Sequence, residues 1–253
     1  MTEHVLIEVC VDSIASALAA ERGGAQRVEL CSDLLEGGIT PSLGLVEAVR
    51  STISIALHSI VRPRGGDFCY SDEEFRIMQR DIEIAKRAGV EGVVVGVLEP
   101  SGRVDIFRTR QLVDIARPLS VTFHRAFDVS ADLHRSLEAV CETGADRILT
   151  SGGEQDSLRG IETIAQLVSL AGERIKIMAG GGINARNVAQ ILERTRVREI
   201  HVGLASPVES RGIHQSPRVF LGKYAGTEYQ PTQVREESVR ELKRVAEQPL
   251  PKR

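Results

Sequence analysis

The stretch IASALAAERGGAQRVELC, residues 14–31, holds a helix pattern, two glycines and a strand pattern in direct succession. Small and apolar residues fill the helical part, 14–22, and Gly23-Gly24 is typical of a helix C-terminus. The apolar run at 27–31 then predicts a strand. Similar junctions recur as GADRI at 144–148 and, more loosely, as GVEGV at 89–93. This repeated helix–glycine–strand unit predicts an α/β protein with a parallel sheet.

Outward from this unit, apolar runs alternate with amphipathic segments along the chain. We predict strands at 5–10, 27–31, 53–61, 92–98, 120–124, 147–150, 175–179 and 199–202. Helical patterns lie at 14–22, 43–51, 72–88, 107–116, 132–143, 158–171 and 185–194. Eight strands in 253 residues favour a single-domain (β/α)8 TIM barrel. An open Rossmann-like sheet is the alternative, but no GxGxxG follows the first strand, so no nucleotide cofactor is indicated.

The barrel pattern occupies residues 1–206 and weakens after the eighth strand. Residues 207–253 contain a long polar loop, a helical segment at 234–246 and a proline-containing end that we expect to be frayed. We predict that this C-terminal loop and helix pack on the barrel or form an oligomer contact. A long loop beside the C-terminal face of a barrel is typical of a functional role.

Composition limits the classes of partner. The formal net charge is -3 and the pI is ≈ 6.1, which argues against nucleic acid or an anionic membrane as a partner through bulk charge. No apolar run approaches the roughly 18 residues of a membrane span, and the first residues lack the basic start of a signal peptide. We therefore predict a cytoplasmic protein whose 4 cysteines are reduced.

A second repeat places acids and thiols at the ends of the first two strands. EVCVD at 8–12 is followed by ELCSD at 29–33. Since side chains alternate along a strand and a carboxylate is costly among the outer helices, the two glutamates and two cysteines should face the barrel mouth. Two thiols facing one mouth suit a soft ion such as Cu(I), whereas zinc usually takes four ligands. The alternatives are cysteines that act as small buried apolar residues and glutamates paired with Arg62 or Arg125.

Arginines, a histidine and an acid follow the third and fifth predicted strands. RPRGGDF at 62–68 sets Arg62 and Arg64 beside two glycines, a pattern that favours anion binding. HRAFD at 124–128 brings together His124, Arg125 and Asp128, with Asp128 as the residue that orients His124 or serves as its carboxylate partner.

Glycine-rich turns follow the last three predicted strands. Backbone N–H groups in such turns form the usual phosphate cradle of a barrel, although glycine also simply permits a tight turn. The predicted anion site comprises Arg62, Arg64, Arg125, Ser151, Gly152, Gly153, Gly180, Gly181, Gly182 and Gly203. His58 is interpreted as a core histidine, and the pattern around His201 does not fix its face.

These motifs, in this order, resemble the CutC family. The matching segments are EVCVDS at 8–13, GAQRVELC at 24–31, EGGITPSLG at 36–44, RPRGGDF at 62–68, TFHRAFD at 122–128, LTSGG at 149–153 and MAGGGI at 178–183. The resemblance implies a single-domain (β/α)8 barrel that is cytoplasmic, often homo-oligomeric as a dimer or tetramer, and linked to copper homeostasis. It also implies Cu(I) ligands at Cys10 and Cys31.

Two functions stay open at this point. The first is copper homeostasis through Cu(I) held by Cys10 and Cys31. The second is an enzyme acting on a small anionic metabolite, phosphorylated or sugar-like, with acids and bases drawn from the mouth. Its hypothetical catalytic residues are Glu8, Glu29, His124 and Asp128. A scaffolding barrel without chemistry leaves the polar mouth unexplained.

Overall fold

The computed structural model describes residues 5–214, 216, 218–219 and 229–248. Within these residues, eight parallel strands close into one barrel in chain order, so the predicted (β/α)8 TIM barrel is confirmed. The strands are β1 (Leu6–Val11), β2 (Arg27–Leu30), β3 (Ala56–Ile60), β4 (Gly92–Val95), β5 (Ser120–Phe123), β6 (Arg147–Thr150), β7 (Lys176–Gly180) and β8 (Glu199–Val202).

Seven helices cover the barrel as its outer layer up to β8, and an eighth follows later. They are α1 (Ile14–Arg22), α2 (Leu43–Arg50), α3 (Asp72–Arg87), α4 (Ile106–Ala116), α5 (Leu133–Thr143), α6 (Ile161–Ala171), α7 (Val188–Thr195) and α8 (Glu236–Ala246). Two short 3-10 helices, Leu34–Glu36 after β2 and Arg125–Val129 after β5, were not predicted. No described helix is long and apolar enough to cross a membrane.

Side chains on the outer and inner faces of the barrel strands have different surroundings. Outward side chains such as Ile7, Val9 and Val28 join the main apolar core beneath the helices. Inward side chains form a smaller cluster of Cys31, Ile60 and Val94, with Cys10 packed on it. The polar residues of the strands therefore collect inside the barrel, where the aliphatic core does not cover them.

The chain after β8 leaves the barrel and returns to it. Two short strands, β9 (Ala205–Pro207) and β10 (Thr232–Val234), pair antiparallel. Helix α8 then packs between α1 and α7 and buries Val239 and Leu242. The boundary predicted at residue 206 thus falls inside the last β/α unit, because α8 completes the helical ring. The end expected to be frayed, 249–253, lies outside the described residues.

Candidate functional site

The inner faces of β1 and β2 carry the repeated acids and thiols. Cys10 lies opposite Glu29 in the strand register, and Glu8 lies opposite Arg27. Glu8 is 0% exposed, Glu29 4% and Cys31 1%, while Cys10 is half-buried. The structure therefore brings the four predicted residues together inside the barrel.

A compact donor set forms around the two thiols. Cys10 Sγ and Cys31 Sγ lie 3.8 Å apart. Cys31 Sγ is 3.4 Å from Glu29 Oε2, and one donor atom from each of the three residues lies within 4.8 Å of the others. With metal–sulfur bonds of about 2.3 Å, one ion between the sulfurs reaches both. The set suits a soft cation, since both leading donors are sulfur.

The register keeps these cysteines from forming a disulfide. Because Cys10 pairs with Glu29, Cys31 lies two residues further along its strand. Strands about 4.8 Å apart and a rise of about 3.3 Å per residue place the two Cα atoms about 8 Å apart. A disulfide usually spans about 4.4–6.8 Å between Cα atoms. The two cysteines are therefore free, and their sulfurs stay available as metal ligands, which a disulfide would not allow.

His201 enters the same cluster from β8, which pairs with β1 on the other side. Its Nδ1 lies 2.8 Å from Glu8 Oε1, and its Nε2 lies 3.8 Å from Glu29 Oε2. The ring also lowers the pKa of the Cys10 thiol. A carboxylate that holds one ring nitrogen fixes the direction of the other. Barrel closure, which makes β8 a neighbour of β1, is the signal that could have assigned this histidine.

An ionic network lies beneath the thiols. Arg27 pairs with Glu8 and places NH2 2.6 Å from Glu199 Oε2, while Arg147 Nε lies 2.5 Å from the same oxygen. The glutamate of β1 thus pairs with an arginine of β2. The alternative pairing with Arg62 or Arg125 was wrong, because those side chains are held by loops above the strands.

The pKa values of the two inward glutamates are shifted in opposite directions. Burial raises the pKa of Glu29 to about 8, and His201 offsets only part of that effect. Burial acts the same way on Glu8, but the Arg27 guanidinium and His201 outweigh it and hold the pKa of Glu8 well below its ordinary value. At neutral pH one is therefore a carboxylic acid and the other a carboxylate. Burial alone lowers the pKa of His201, but its bonds to Cys10 and Glu8 raise it well above the ordinary value.

The two thiols differ in the same manner. The hydrogen bond from Cys31 lowers the pKa of Cys10 to about 6 against the effect of burial, and His201 adds to the lowering. The same hydrogen bond, together with burial, raises the pKa of Cys31 well above its ordinary value. At neutral pH the pair is one thiolate and one thiol, and the thiolate is the nucleophile and metal ligand.

Alkylation should reveal this difference within one molecule. We expect the rate of Cys10 alkylation by iodoacetamide to reach half its maximum near pH 6, because the thiolate reacts and the pKa of Cys10 is about 6. Cys69 and Cys141, whose pKa values burial raises, should keep gaining reactivity beyond pH 9.0. Mass spectrometry of each cysteine across the pH range gives the three profiles, and parallel profiles would contradict the assignment.

Two further histidines fill space against β4. A Cβ at Gly92 would lie 2.4 Å from His58 Nε2, and one at Gly96 would lie 2.4 Å from His124 Nδ1. Burial lowers the pKa of His58 to about 4 and that of His124 to about 3, so both rings are neutral. His124 Nδ1 accepts the Ala126 N–H at 3.1 Å. Its Nε2 has no hydrogen-bond partner among the described residues.

The predicted contact between His124 and Asp128 does not form. Asp128 Oδ2 instead accepts Arg125 Nε at 2.7 Å, and its carboxylate accepts the backbone N–H of Ser151 at 3.0 Å and of Gly153 at 3.1 Å. The 3-10 helix after β5 turns the carboxylate toward the end of β6. The glycine turn after β6 was predicted to bind an external anion, and in the structure it binds the carboxylate of Asp128.

The two arginines after β3 are also engaged. Arg62 NH1 donates to the carbonyls of Glu36 at 2.6 Å and Gly38 at 2.9 Å, and NH2 donates to that of Gly66 at 2.9 Å. Arg64 pairs with a carboxylate of its own loop and with one of α3. The forked ends of both guanidinium groups therefore hold loops together.

The backbone of the turn after β7 requires glycine. Gly181 has φ +106 and Gly182 has φ +70, which side chains rarely adopt, and a Cβ at Gly180 would lie 2.4 Å from Leu149 Cδ1. Gly203, after β8, is open on its Cβ side. These turns remain the predicted anion site of the barrel.

A model of the CutC family matches residues 5–206. The chain belongs to the CutC family. A family protein CutC from Xylella fastidiosa strain 9a5c is 46% identical over 242 residues, which is 96% of this chain and 89% of that protein. A Mus musculus copper homeostasis protein cutC homolog is 45% identical over 225 residues, 88% of this chain and 83% of that one.

Solved structures agree with this membership. A CutC crystal structure from Streptococcus agalactiae has a TM-score of 0.74 and 34% identity, and the alignment covers 78% of this chain and 97% of that chain. Phosphoribosylanthranilate isomerase from Thermotoga maritima has a TM-score of 0.58 at 14% identity, covering 96% and 98% of the two chains, which shows a shared barrel fold. The predicted resemblance is therefore confirmed.

Proposed function

We propose that this chain binds Cu(I) at Cys10 and Cys31 and acts in copper homeostasis. The observation that carries the proposal is the 3.8 Å separation of two free thiol sulfurs inside the barrel. The name of the Mus musculus relative supports the link to copper. Four unpaired cysteines support a cytoplasmic location. We also propose a homo-oligomer, a dimer or tetramer, as the family resemblance implies.

The donor set favours Cu(I) over harder ions. Thiolate and thiol lead the set, and soft sulfur ligands select Cu(I). Magnesium and calcium prefer carboxylate and carbonyl oxygen, and Glu29 offers one buried carboxyl group that is protonated at neutral pH, with a pKa of about 8. His201 stands beside Cys10 with its ring fixed by Glu8. The pair would thus hold the ion away from water.

X-ray absorption of the loaded protein tests this proposal. The reduced chain is loaded anaerobically with Cu(I), dialysed against a weak chelator and measured at the copper edge. We expect one copper ion per chain with sulfur nearest neighbours, because the two thiols lie within reach of one ion. No retained copper, or a first shell of oxygen and nitrogen alone, would refute the proposal.

A second candidate function, acid–base catalysis on a small anion, has one observation in its favour. The pKa values of Glu8 and Glu29 are driven apart, which is the pattern of paired catalytic carboxyl groups. The turns at Gly181, Gly182 and Gly203 would hold the anion, and His124 and Asp128 are the other predicted acid–base residues. Inorganic phosphate at constant ionic strength should then raise the unfolding temperature. An unchanged midpoint would remove this candidate.

A further inference from the structure

A turn lies directly over the buried thiol. Residues 33–38, here the cover turn, follow β2 and include the short 3-10 helix. Gly38 has φ +89, and a Cβ there would lie 3.1 Å from Cys31 Sγ. Leu34 packs against the cluster of Cys31 and Ile60. Cys31 is 1% exposed, so the cover turn closes the thiol from this side.

Arg62, two residues after the end of β3, ties the cover turn to the loop that follows this strand. Arg62 donates to the carbonyls of Glu36 and Gly38 within the turn, and to Gly66 in the next loop. Its guanidinium lies over the Phe68 ring, 5.0 Å from the centroid, and the residue is 5% exposed. A planar fork serves three carbonyls at once, which an ammonium group cannot do in the same geometry.

The ends of the cover turn are fixed while its middle is suited to move. Ser32 and Ile39 exchange two backbone hydrogen bonds of 2.9 and 2.7 Å, which pin both ends. Gly37 and Gly38 have φ of +83 and +89, in the region that glycine adopts freely. Leu35 is 66% exposed and gives the turn little apolar anchorage. Arg62 ties this segment to the loop after β3 through two carbonyl groups.

We propose that Arg62 is a latch that holds the cover turn shut over Cys31, so that opening of residues 33–38 controls access to the Cys31 sulfur. The use of this opening, admission of a metal ion, rests on the proposed Cu(I) function. The opening itself is defined by the exposure of the thiol and does not depend on copper binding. Arg62 acts through the turn and is a positioning residue.

Thiol labelling tests the latch. In a Cys10→Ser/Cys69→Ser/Cys141→Ser chain, whose one remaining cysteine is Cys31, N-ethylmaleimide labelling is followed by mass spectrometry. Arg62→Lys should raise the rate by about tenfold or more, because charge-assisted hydrogen bonds to carbonyls are lost. The matched control is Arg64→Lys, whose partners lie outside the cover turn, and it should label at the original rate. Equal rates in the two variants would overturn the latch.

Hydrogen exchange separates local opening from unfolding. A rise in labelling accompanied by an equal rise in exchange of the β2 and β7 amides would mean general unfolding and would overturn the proposal. If Arg62→Lys does not fold, the unmodified chain decides. Its Gly37 and Gly38 amides should exchange faster than those of β2. The opening rate obtained from this exchange should equal the rate that limits Cys31 labelling. Protection of these two amides equal to that of β2 would count against the latch. Absence of Cu(I) binding would refute the proposed function and leave the labelling result standing.

Discussion

Replacement of Cys10 or Cys31 by serine is expected to lower the Cu(I) affinity by at least about 100-fold. Changes beside a metal ligand already cost about 10–100-fold in affinity, and here a ligand itself is lost. A hydroxyl group is a poor ligand for a soft ion, and the remaining thiol loses the sulfur that lies 3.8 Å from it. Anaerobic competition against a Cu(I) chelator of known affinity measures the change.

The other two cysteines provide the matched control. Cys69 and Cys141 pack on the apolar core and take no part in the pair, so Cys69→Ser and Cys141→Ser should keep the original affinity. His201→Gln should fall between the two groups, because it removes a neighbour of Cys10 and keeps both sulfurs. Equal affinity in all variants would contradict copper binding at Cys10 and Cys31.

Local patterns carried much of the site prediction. The period of two along a strand places Glu8 and Cys10 on one face, and the second copy of the motif repeats this on β2. Both copies are close in sequence, and adjacent strands of a barrel are neighbours in space. The thiol pair therefore follows from two short motifs and the fold class alone.

The contacts of the site that the sequence did not predict depend on long-range or loop geometry. His201 meets Glu8 across 193 positions, and only closure of the barrel brings the two strands together. Asp128 accepts backbone N–H groups of a turn besides Arg125, and the partners of Arg62 include carbonyl groups. Every residue carries similar backbone groups, so the sequence does not show which of them a charged side chain will bind. A pattern of charged residues therefore predicts side-chain ion pairs or external anions instead. That is why some residues predicted to bind an external anion instead bind groups of the protein itself.

The second large effect concerns stability and the network below the thiols. Arg27 is 3% exposed and pairs with Glu8 and Glu199. Removal of one partner from a buried ion pair costs about 3–5 kcal/mol, because a charge remains without compensation. Arg27→Met, which is apolar and of similar length, should therefore lose about 3–5 kcal/mol of unfolding free energy in urea. Arg174→Met, which breaks an exposed pair with Glu138, is the control and should leave stability unchanged.

Arg27→Met should also weaken the pH dependence that Glu8 gives to stability. In the unmodified chain the folded pKa of Glu8 is depressed, so its contribution is present above the ordinary pKa of 4.5 and is lost as the pH falls through the folded value. The guanidinium is the largest influence that lowers this pKa, so its removal raises the folded pKa of Glu8 and shrinks the contribution. Urea unfolding should therefore find a smaller loss of stability between about pH 7 and about pH 3 in this variant than in Arg174→Met. Equal losses in the two variants would show that Glu8 does not depend on Arg27.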